Sequence, residues 1–317
     1  MSARPWIGLC LRWLFFLASI AFLARFVGHT LATQGKFLPS LTAPGIAKAA
    51  LAALSFASTA VFSALGWRGI LEHLGQRRPR MAIGRVFFIT QVAKYLPGNV
   101  GHHIGRMTLA KRSLGIPASA TSASILQESA LACLAALLTG LACFALQPAI
   151  RTIDDIDLRL VLGASIAAGL LALGSINAWK KARPVPRNRT IAWLLTMAPS
   201  WPSVASNLPF YFAITVLNGL AVALVASAIM PITAHHIVIL AGAFALSWVI
   251  GFLLPGAPGG LGVREAAFVA LLAHAYTPSA LLAIALLCRL ASVAADLLIF
   301  ACGYALSRWP PATLQRR

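Results

Sequence analysis

The chain has 317 residues, of which 59% are hydrophobic and only 10% are charged, and its mean hydropathy is +0.83. Soluble domains carry about 25% charged residues, so this composition excludes an ordinary soluble protein. Apolar runs of about 20 residues, the length that crosses a bilayer core, recur along the chain and predict an all-α polytopic membrane protein. The formal net charge of +19 does not indicate nucleic-acid binding, because most Lys and Arg lie in short connections between apolar runs.

Six apolar runs have the length and character of ordinary transmembrane helices. In chain order they are about Trp6–Phe26, Ile46–Trp67, Ser119–Leu146, Leu160–Ile176, Leu208–Ile229 and Ser279–Leu306. The first run has no small-residue cleavage site after it, so we interpret it as a retained helix rather than a signal peptide.

Two further regions, Ala82–Arg112 and His235–His274, are apolar but interrupted. Each contains Leu-Pro-Gly followed by more glycines and a second apolar stretch. Proline and glycine interrupt helical hydrogen bonding, and the freed backbone groups need partners other than lipid. We therefore predict two broken or re-entrant helical hairpins. The predicted break residues are Pro97, Gly98, Asn99, Pro255, Gly256, Gly259 and Gly260.

The distribution of basic residues predicts the orientation. If the N-terminus is cytoplasmic, most of the 26 Lys and Arg fall in cytoplasmic segments, as the positive-inside rule requires. We therefore expect a multi-pass protein of the bacterial cytoplasmic membrane with both termini in the cytoplasm.

The two broken regions align with each other. Leu96-Pro97-Gly98 matches Leu254-Pro255-Gly256, and the same spacing places Gly101 on Gly259 and Arg106 on Arg264. Each half, about 1–150 and 151–317, has two spans, a broken hairpin and a third span. Because three crossings are an odd number, the second half would be inverted, as in many transporters. We predict one integral membrane domain, 1–317, built from two inverted repeats.

Seven charged residues fall within the apolar segments rather than the loops: Lys94, Arg106, Glu128, Arg264, Glu265, Arg289 and Asp296. A charge at the bilayer centre costs about 2.5–3.5 kcal/mol, so these side chains should face a protein interior or a wet cavity. One interpretation is that they form ion pairs that only stabilise the bundle, such as Arg106 with Glu128 or Arg289 with Asp296. The excess of cations, together with helix N-termini after Gly98 and Gly259, instead favours binding of an anionic headgroup.

Other signals are weaker. The adjacent pairs His102-His103 and His235-His236 are poor bidentate metal ligands, and we interpret them as interfacial or loop residues. The run Asp154-Asp155-Ile156-Asp157 could bind a divalent cation, but a solvated acidic loop is the simpler interpretation. We find no P-loop and no nucleophile–base pair, so we expect no enzymatic activity, no cofactor and no metal.

The motif QVAKYLPGNVGHHIGR (91–106), followed by Leu114-Gly115-Ile116 and Glu128, and the later LPGAPGGLGVREAAF (254–268) resemble the lysylphosphatidylglycerol synthase transmembrane-region family. This resemblance covers essentially the whole chain and implies a lipid flippase-like activity in the cytoplasmic membrane. Such domains occur fused to a soluble synthase in the bacterial multiple peptide resistance factor, and also alone, including in hopanoid-associated proteins. Since this sequence stops soon after its last span, we expect no attachment of lysine to phosphatidylglycerol.

Three functions are consistent with these observations. The first is a flippase, in which Arg106, Arg264 and Arg289, supported by Lys94, contact a lipid headgroup while Glu128, Glu265 and Asp296 hold the arginines. The second is a membrane transferase acting on a polyprenyl-linked or phospholipid substrate. The third is a non-catalytic partner of envelope-lipid biosynthesis enzymes. The sequence names neither the lipid nor the oligomeric state.

Overall fold

The computed structural model describes residues 42–95, 100–147, 152–153, 156–182, 198–254, 260 and 262–308. Within these ranges the chain is predominantly helical, which confirms the predicted all-α membrane fold. The α-helices are α1 (Ala43–His73), α2 (Arg80–Gln91), α3 (Gly101–Leu114), α4 (Ala118–Ala145), α5 (Leu158–Ala182), α6 (Trp201–Ile229), α7 (Ala234–Leu253), α8 (Val263–Leu272) and α9 (Pro278–Arg308). A short 3₁₀ helix, Val92–Tyr95, follows α2, and β1 (Thr152–Ile153) pairs antiparallel with β2 (Ile156–Asp157) before α5.

Six of the helices in the described ranges are long and apolar enough to cross a membrane, so the chain is a multi-pass membrane protein. Five of them, α1, α4, α5, α6 and α9, correspond to predicted spans, whereas α7 belongs to the second predicted broken region. The predicted span Trp6–Phe26 lies outside the described residues. Helix α5 lies at the rim of the bundle, where it packs mainly against α4.

Local sequence signals determine where several helices begin and end. Thr42 and Ser200 precede α1 and α6, and their hydroxyl oxygens accept hydrogen bonds from the backbone N–H groups three residues later. A proline follows in the first turn of each helix, which is a position that tolerates the missing N–H. Gly115 ends α3 with a φ of +65°, a conformation that glycine adopts without steric cost.

The two broken regions are both interrupted helix pairs, but their arms differ in length. In the first, α2 and α3 have 12 and 14 residues, or about 18 and 21 Å at 1.5 Å per residue, which is too short to cross a bilayer. In the second, α7 has 20 residues, about 30 Å, whereas α8 has only 10. The arms of each region pack against each other. Of the predicted break residues, only Gly260 is described, with a φ of +70°, and Pro97, Gly98, Asn99, Pro255, Gly256 and Gly259 lie outside the described residues.

Glycines allow α1 and α6 to approach closely along their length. A Cβ atom added at Gly69 would overlap Asn207 Oδ1, and one added at Gly66 would lie 3.0 Å from the hydroxyl of Tyr211. Small residues at helix contacts are typical of membrane bundles, where packing replaces the hydrophobic effect as the driving force. The α1–α6 seam therefore holds the centre of the bundle together.

Contacts in one half of the chain have counterparts in the other half. Helix α2 packs against α9 while α7 packs against α4, and α1 packs against α9 while α6 packs against α4. Two halves related by an axis through the α1–α6 seam would produce this pattern. The inversion of halves 1–150 and 151–317 itself stays a prediction.

Candidate functional site

A cavity of about 270 Å³ lies between the two broken regions, with walls from α1, α4, α6 and α9. It is lined by six of the seven charged residues predicted for the site: Lys94, Arg106, Glu128, Arg264, Arg289 and Asp296. Glu265 instead lines an adjoining pocket of about 20 Å³, whose wall also includes Arg264 and Arg289. Side chains from distant parts of the sequence therefore converge on one polar space inside an apolar bundle.

Arg106 is the most deeply enclosed of these cations. Its side chain is 2% exposed, and its guanidinium forms an ion pair with the carboxylate of Glu128 on α4. The guanidinium carbon also lies 4.2 Å from the ring centre of Phe87 and 4.9 Å from that of Trp67, whose indole N–H donates to Ser124 Oγ at 2.8 Å. This is the Arg106–Glu128 pair considered as one alternative from the sequence, now held in place by two aromatic rings.

Asp296 of α9 is bound by the 3₁₀ helix that follows α2. Lys94 Nζ lies 2.7 Å from one carboxylate oxygen of Asp296, and the hydroxyl of Tyr95 donates to the carboxylate at 2.5 Å. The sequence had suggested Arg289, which lies about two helical turns earlier on the same helix, as the partner of Asp296. The contacts of Asp296 with Lys94 and Tyr95 connect the first broken region to the last described span.

Arg264 and Arg289 approach the cavity from α8 and α9. The guanidinium of Arg264 stacks over the Phe244 ring at 4.0 Å, and that of Arg289 lies 5.8 Å from the ring centre of Tyr95. Both side chains also line the small adjoining pocket, which places the two cations near each other. A Cβ at Gly251 would be only 3.1 Å from Arg264 Cβ, so a glycine at this position lets α8 pack tightly against α7.

Glu265 has a local partner despite its predicted place among the site residues. It is 6% exposed, and one of its carboxylate oxygens accepts a hydrogen bond of 2.8 Å from the backbone N–H of Gly262, where α8 begins. Gly262 has a φ of +82°, in the left-handed region that favours glycine. The negative charge therefore stabilises the positive end of the α8 dipole.

Sequence reasoning missed several residues of the cavity wall. His102 and His103 line the cavity from the first turn of α3, with ring centres 3.8 Å apart, so the alternative that they are loop residues is wrong. The ring pair Trp248 and Phe252 also lines the wall, stacked at 5.2 Å. The position of the histidines inside the polar motif could have indicated that they line the cavity. The two aromatic residues could not be identified in this way, because their sequence context is that of any apolar residue in a span.

The remaining weak signals lie away from the cavity. His236 is at the start of α7, where its Nδ1 accepts a hydrogen bond from the backbone N–H of Thr233. Asp157 accepts a hydrogen bond of 2.9 Å from the N–H of Arg159 beside the start of α5, whereas Asp154 and Asp155 lie outside the described residues. Within the described ranges, no group of three His, Cys, Asp or Glu side chains could hold a metal ion.

A family model described as the lysylphosphatidylglycerol synthase TM region matches residues 9–299. The chain belongs to this family. The resemblance inferred from the two motifs is therefore confirmed, and the match includes both broken regions and every charged residue of the cavity. A search of curated proteins finds no match to this chain. Membership in the lysylphosphatidylglycerol synthase TM region family, together with the six span-length helices, is consistent with a lipid-related role in a membrane.

Proposed function

We propose that this chain is a lipid flippase, which moves an anionic or phosphate-bearing headgroup between the leaflets of the bacterial cytoplasmic membrane. Both termini would lie in the cytoplasm. Family membership supports a lipid-related role, and the cavity supports a headgroup site. The observation that carries the proposal is that Arg264 and Arg289 share one wall of this cavity.

The surroundings of the four cations distinguish the binding residues that we propose. Arg106 is paired with Glu128, and Lys94 is paired with Asp296, so these two cations have carboxylate partners within the protein. Arg264 and Arg289 lie beside each other on the wall that the cavity shares with the small adjoining pocket, so two guanidinium groups face the same space. Guanidinium groups bind phosphate with paired hydrogen bonds, and an anion between two of them offsets their repulsion. We therefore assign headgroup contact to Arg264 and Arg289, and assign the Arg106–Glu128 pair to the cavity wall.

Movement of the headgroup would follow from the placement of the cavity. Hydroxyl and amide side chains of α1 and α6 contribute further polar groups to its wall, namely Thr59, Ser63, Thr215 and Asn218. A headgroup could therefore occupy the cavity while its apolar tails stay in the bilayer. Opposed movements of the two broken regions would expose the cavity first to one leaflet and then to the other, by downhill or ion-coupled transport.

The test compares charge variants in proteoliposomes. We expect Arg264→Gln and Arg289→Glu each to reduce the transbilayer movement of fluorescent phosphatidylglycerol at least ~10-fold, as measured by dithionite quenching, because each removes about 1.4 kcal/mol or more of binding. Arg289→Glu would give Arg264 a carboxylate partner, so the variant should remain folded. Arg112→Gln, which removes an exposed cation in the last turn of α3, is the matched control and should move lipid normally.

Two results would contradict the proposal. Normal lipid movement in both Arg264→Gln and Arg289→Glu would remove these residues from the site. Release of a covalently altered lipid by the purified wild-type protein, detected by mass spectrometry, would instead support the membrane transferase considered from the sequence.

A further inference from the structure

A row of buried polar side chains on α6 leads away from the cavity. Ser203, Asn207 and Tyr211 are spaced four residues apart, so they share one face of the helix over about 12 Å. Each residue is only 1% exposed. The Ser203 hydroxyl, the Asn207 Oδ1 atom and the Tyr211 hydroxyl are all buried with no hydrogen-bond partner among the described residues. Since a buried polar group without a partner is costly, this polar stripe indicates a function other than packing.

The polar stripe connects the cavity to one end of the bundle. Tyr211 lines the cavity together with Glu128 of α4. At the other end of the stripe, Ser203 lies in the first turn of α6. Because α1 and α6 run antiparallel, this turn lies beside the last turn of α1, which ends at His73. The stripe therefore extends from the cavity to the level where α1 ends and α6 begins.

Two glycines of α1 give the polar stripe room for water. Asn207 Oδ1 fills the Cβ position of Gly69, and the Tyr211 hydroxyl lies beside the Cβ position of Gly66. Cβ positions three residues apart on a helix are separated by about 5–6 Å, a distance that one hydrogen-bonded water molecule can span. Buried polar groups that lack a protein partner are normally bound by water. The stripe is therefore suited to a short chain of water molecules, along which protons can move.

The charged and titratable groups around the polar stripe lie at its two ends. Residues 201–229 of α6 contain no Asp, Glu, Lys, Arg or His. Beside the start of α6, the end of α1 contributes the partly exposed Arg68–Glu72 ion pair and the exposed His73. At the cavity end, the nearest elements contribute Glu128 and its partner Arg106. The other charged or titratable groups lie beyond them on the cavity wall: Lys94, Tyr95, His102, His103, Arg264, Arg289 and Asp296.

We propose that protons pass along the polar stripe between the water at the end of α1 and the Glu128 carboxylate, and that the proposed flippase couples lipid movement to this proton movement. The inference rests on the proposed flippase activity. A proton that binds the Glu128 carboxylate would be released unchanged through the cavity to the opposite side, so no bond of the lipid is altered.

The charge of Glu128 explains how the two movements would be coupled. Protonation removes the negative charge beside Arg106, so the cavity wall gains one positive charge. An anionic headgroup offsets that charge, and each ligand therefore favours the binding of the other. Proton and anionic lipid would then cross the membrane in the same direction.

The test asks whether a pH gradient drives lipid across the bilayer. Proteoliposomes with fluorescent phosphatidylglycerol are given a gradient of about one pH unit, with valinomycin and equal K⁺ on both sides to hold the membrane potential at zero. We expect the lipid to accumulate about tenfold in the leaflet that faces the alkaline side, because one proton per lipid across one pH unit is equivalent to about 1.4 kcal/mol. Dithionite quenching measures the outer-leaflet fraction, and protein-free liposomes control for passive movement of protonated lipid.

Two variants interrupt the polar stripe without removing a cavity residue. Asn207→Leu replaces the amide with an apolar group of similar size, and Ser203→Ala removes a hydroxyl that has no partner, so both should fold. We expect each variant to reduce the accumulation to less than about twofold. The matched control is Ser58→Ala, which removes an α1 hydroxyl that donates to the carbonyl of Leu54 at 2.9 Å, and it should keep the full accumulation.

The outcomes separate this inference from the flippase proposal. An equal distribution of phosphatidylglycerol under the gradient, with normal movement at equal pH, would overturn proton coupling and leave a downhill flippase. No protein-dependent movement at any pH would refute the flippase itself. Accumulation that is unchanged in both Asn207→Leu and Ser203→Ala, or lost equally in Ser58→Ala, would exclude the polar stripe as the proton pathway.

Discussion

Arg106 and Arg264 occupy matching positions in the two broken regions, yet their surroundings are opposite. Arg106 lies against two neighbouring aromatic rings and is paired with Glu128. Arg264 stacks on one ring and shares its wall with Arg289, which follows Pro278 by eleven residues just as Glu128 follows Pro117. The arginine of the first broken region therefore meets a carboxylate, whereas the matching arginine of the second region meets another arginine. Ionisable residues inside a membrane protein are candidates for ligand binding, and we expect the headgroup where the two guanidinium groups face the same space.

The largest expected effect on stability comes from removing the negative charge of the first region. Glu128→Gln would leave Arg106 buried with no counter-charge, and we expect the free energy of unfolding to fall by about 3–5 kcal/mol. Unfolding of the purified protein in detergent would measure this loss. The control is Glu72→Gln, which breaks the partly exposed Arg68–Glu72 pair of α1 and should cost less than about 1 kcal/mol.

This prediction can also break the comparison between the two regions. If Glu128→Gln unfolds like the wild-type protein but no longer moves lipid, then Glu128 belongs to the binding site. The Arg106–Glu128 pair would then have the same role as Arg264 and Arg289.

A smaller effect is expected where the two halves are joined through Asp296. Asp296→Asn would weaken the contacts to Lys94 and Tyr95, and we expect a loss of about 1–2 kcal/mol, because the side chain of Lys94 is partly exposed. Hydrogen exchange should become faster in the 3₁₀ helix Val92–Tyr95 but stay unchanged in α8. Tyr95→Phe, which removes one hydrogen bond and keeps the ion pair, should give an intermediate result. Unchanged exchange in both variants would show that this contact does not order the 3₁₀ helix.

The smallest effect is expected at the start of α8. Glu265→Ala removes the carboxylate that accepts the hydrogen bond from Gly262, and we expect a loss of about 1 kcal/mol, typical of a helix cap. Faster hydrogen exchange in the first turn of α8 would check it, and Glu265→Gln, which keeps an acceptor oxygen, should lose less. A variant with unchanged exchange but greatly reduced lipid movement would instead indicate that Glu265 contacts the headgroup.

The sequence predicted which charged residues line the cavity because a charge that faces lipid is costly in any arrangement of the helices. Each such residue must therefore face the protein interior. Lys94 and Asp296 illustrate the limit of that reasoning. They are 202 residues apart and belong to different halves, so no spacing rule connects them. Arg289, the partner expected from the sequence, lies on the same helical face as Asp296, but the packing of α2 against α9 also brings Lys94 within 2.7 Å of the Asp296 carboxylate.

Other features depended on packing that local sequence does not encode. Phe87 and Phe244 lie under the guanidinium groups of Arg106 and Arg264. Nothing in the local sequence distinguishes these two phenylalanines from those that pack in the apolar core. The unequal arms of the second region could have been anticipated, because residues 234–253 contain no Asp, Glu, Lys or Arg and therefore form a full-length span. Arg80 and Arg85 lie within α2, which is the shorter first arm of the other region.

The α1–α6 seam restricts the motion available to the two halves. Atoms of Asn207 and Tyr211 occupy the volume that Cβ atoms would fill at Gly69 and Gly66, so one helix cannot translate along the other without collision. Shear along this contact is therefore blocked, whereas hinge rotation about it keeps the interlocked atoms in place. The two helices would act as a fixed pivot, and the short arms at either side of it would travel furthest.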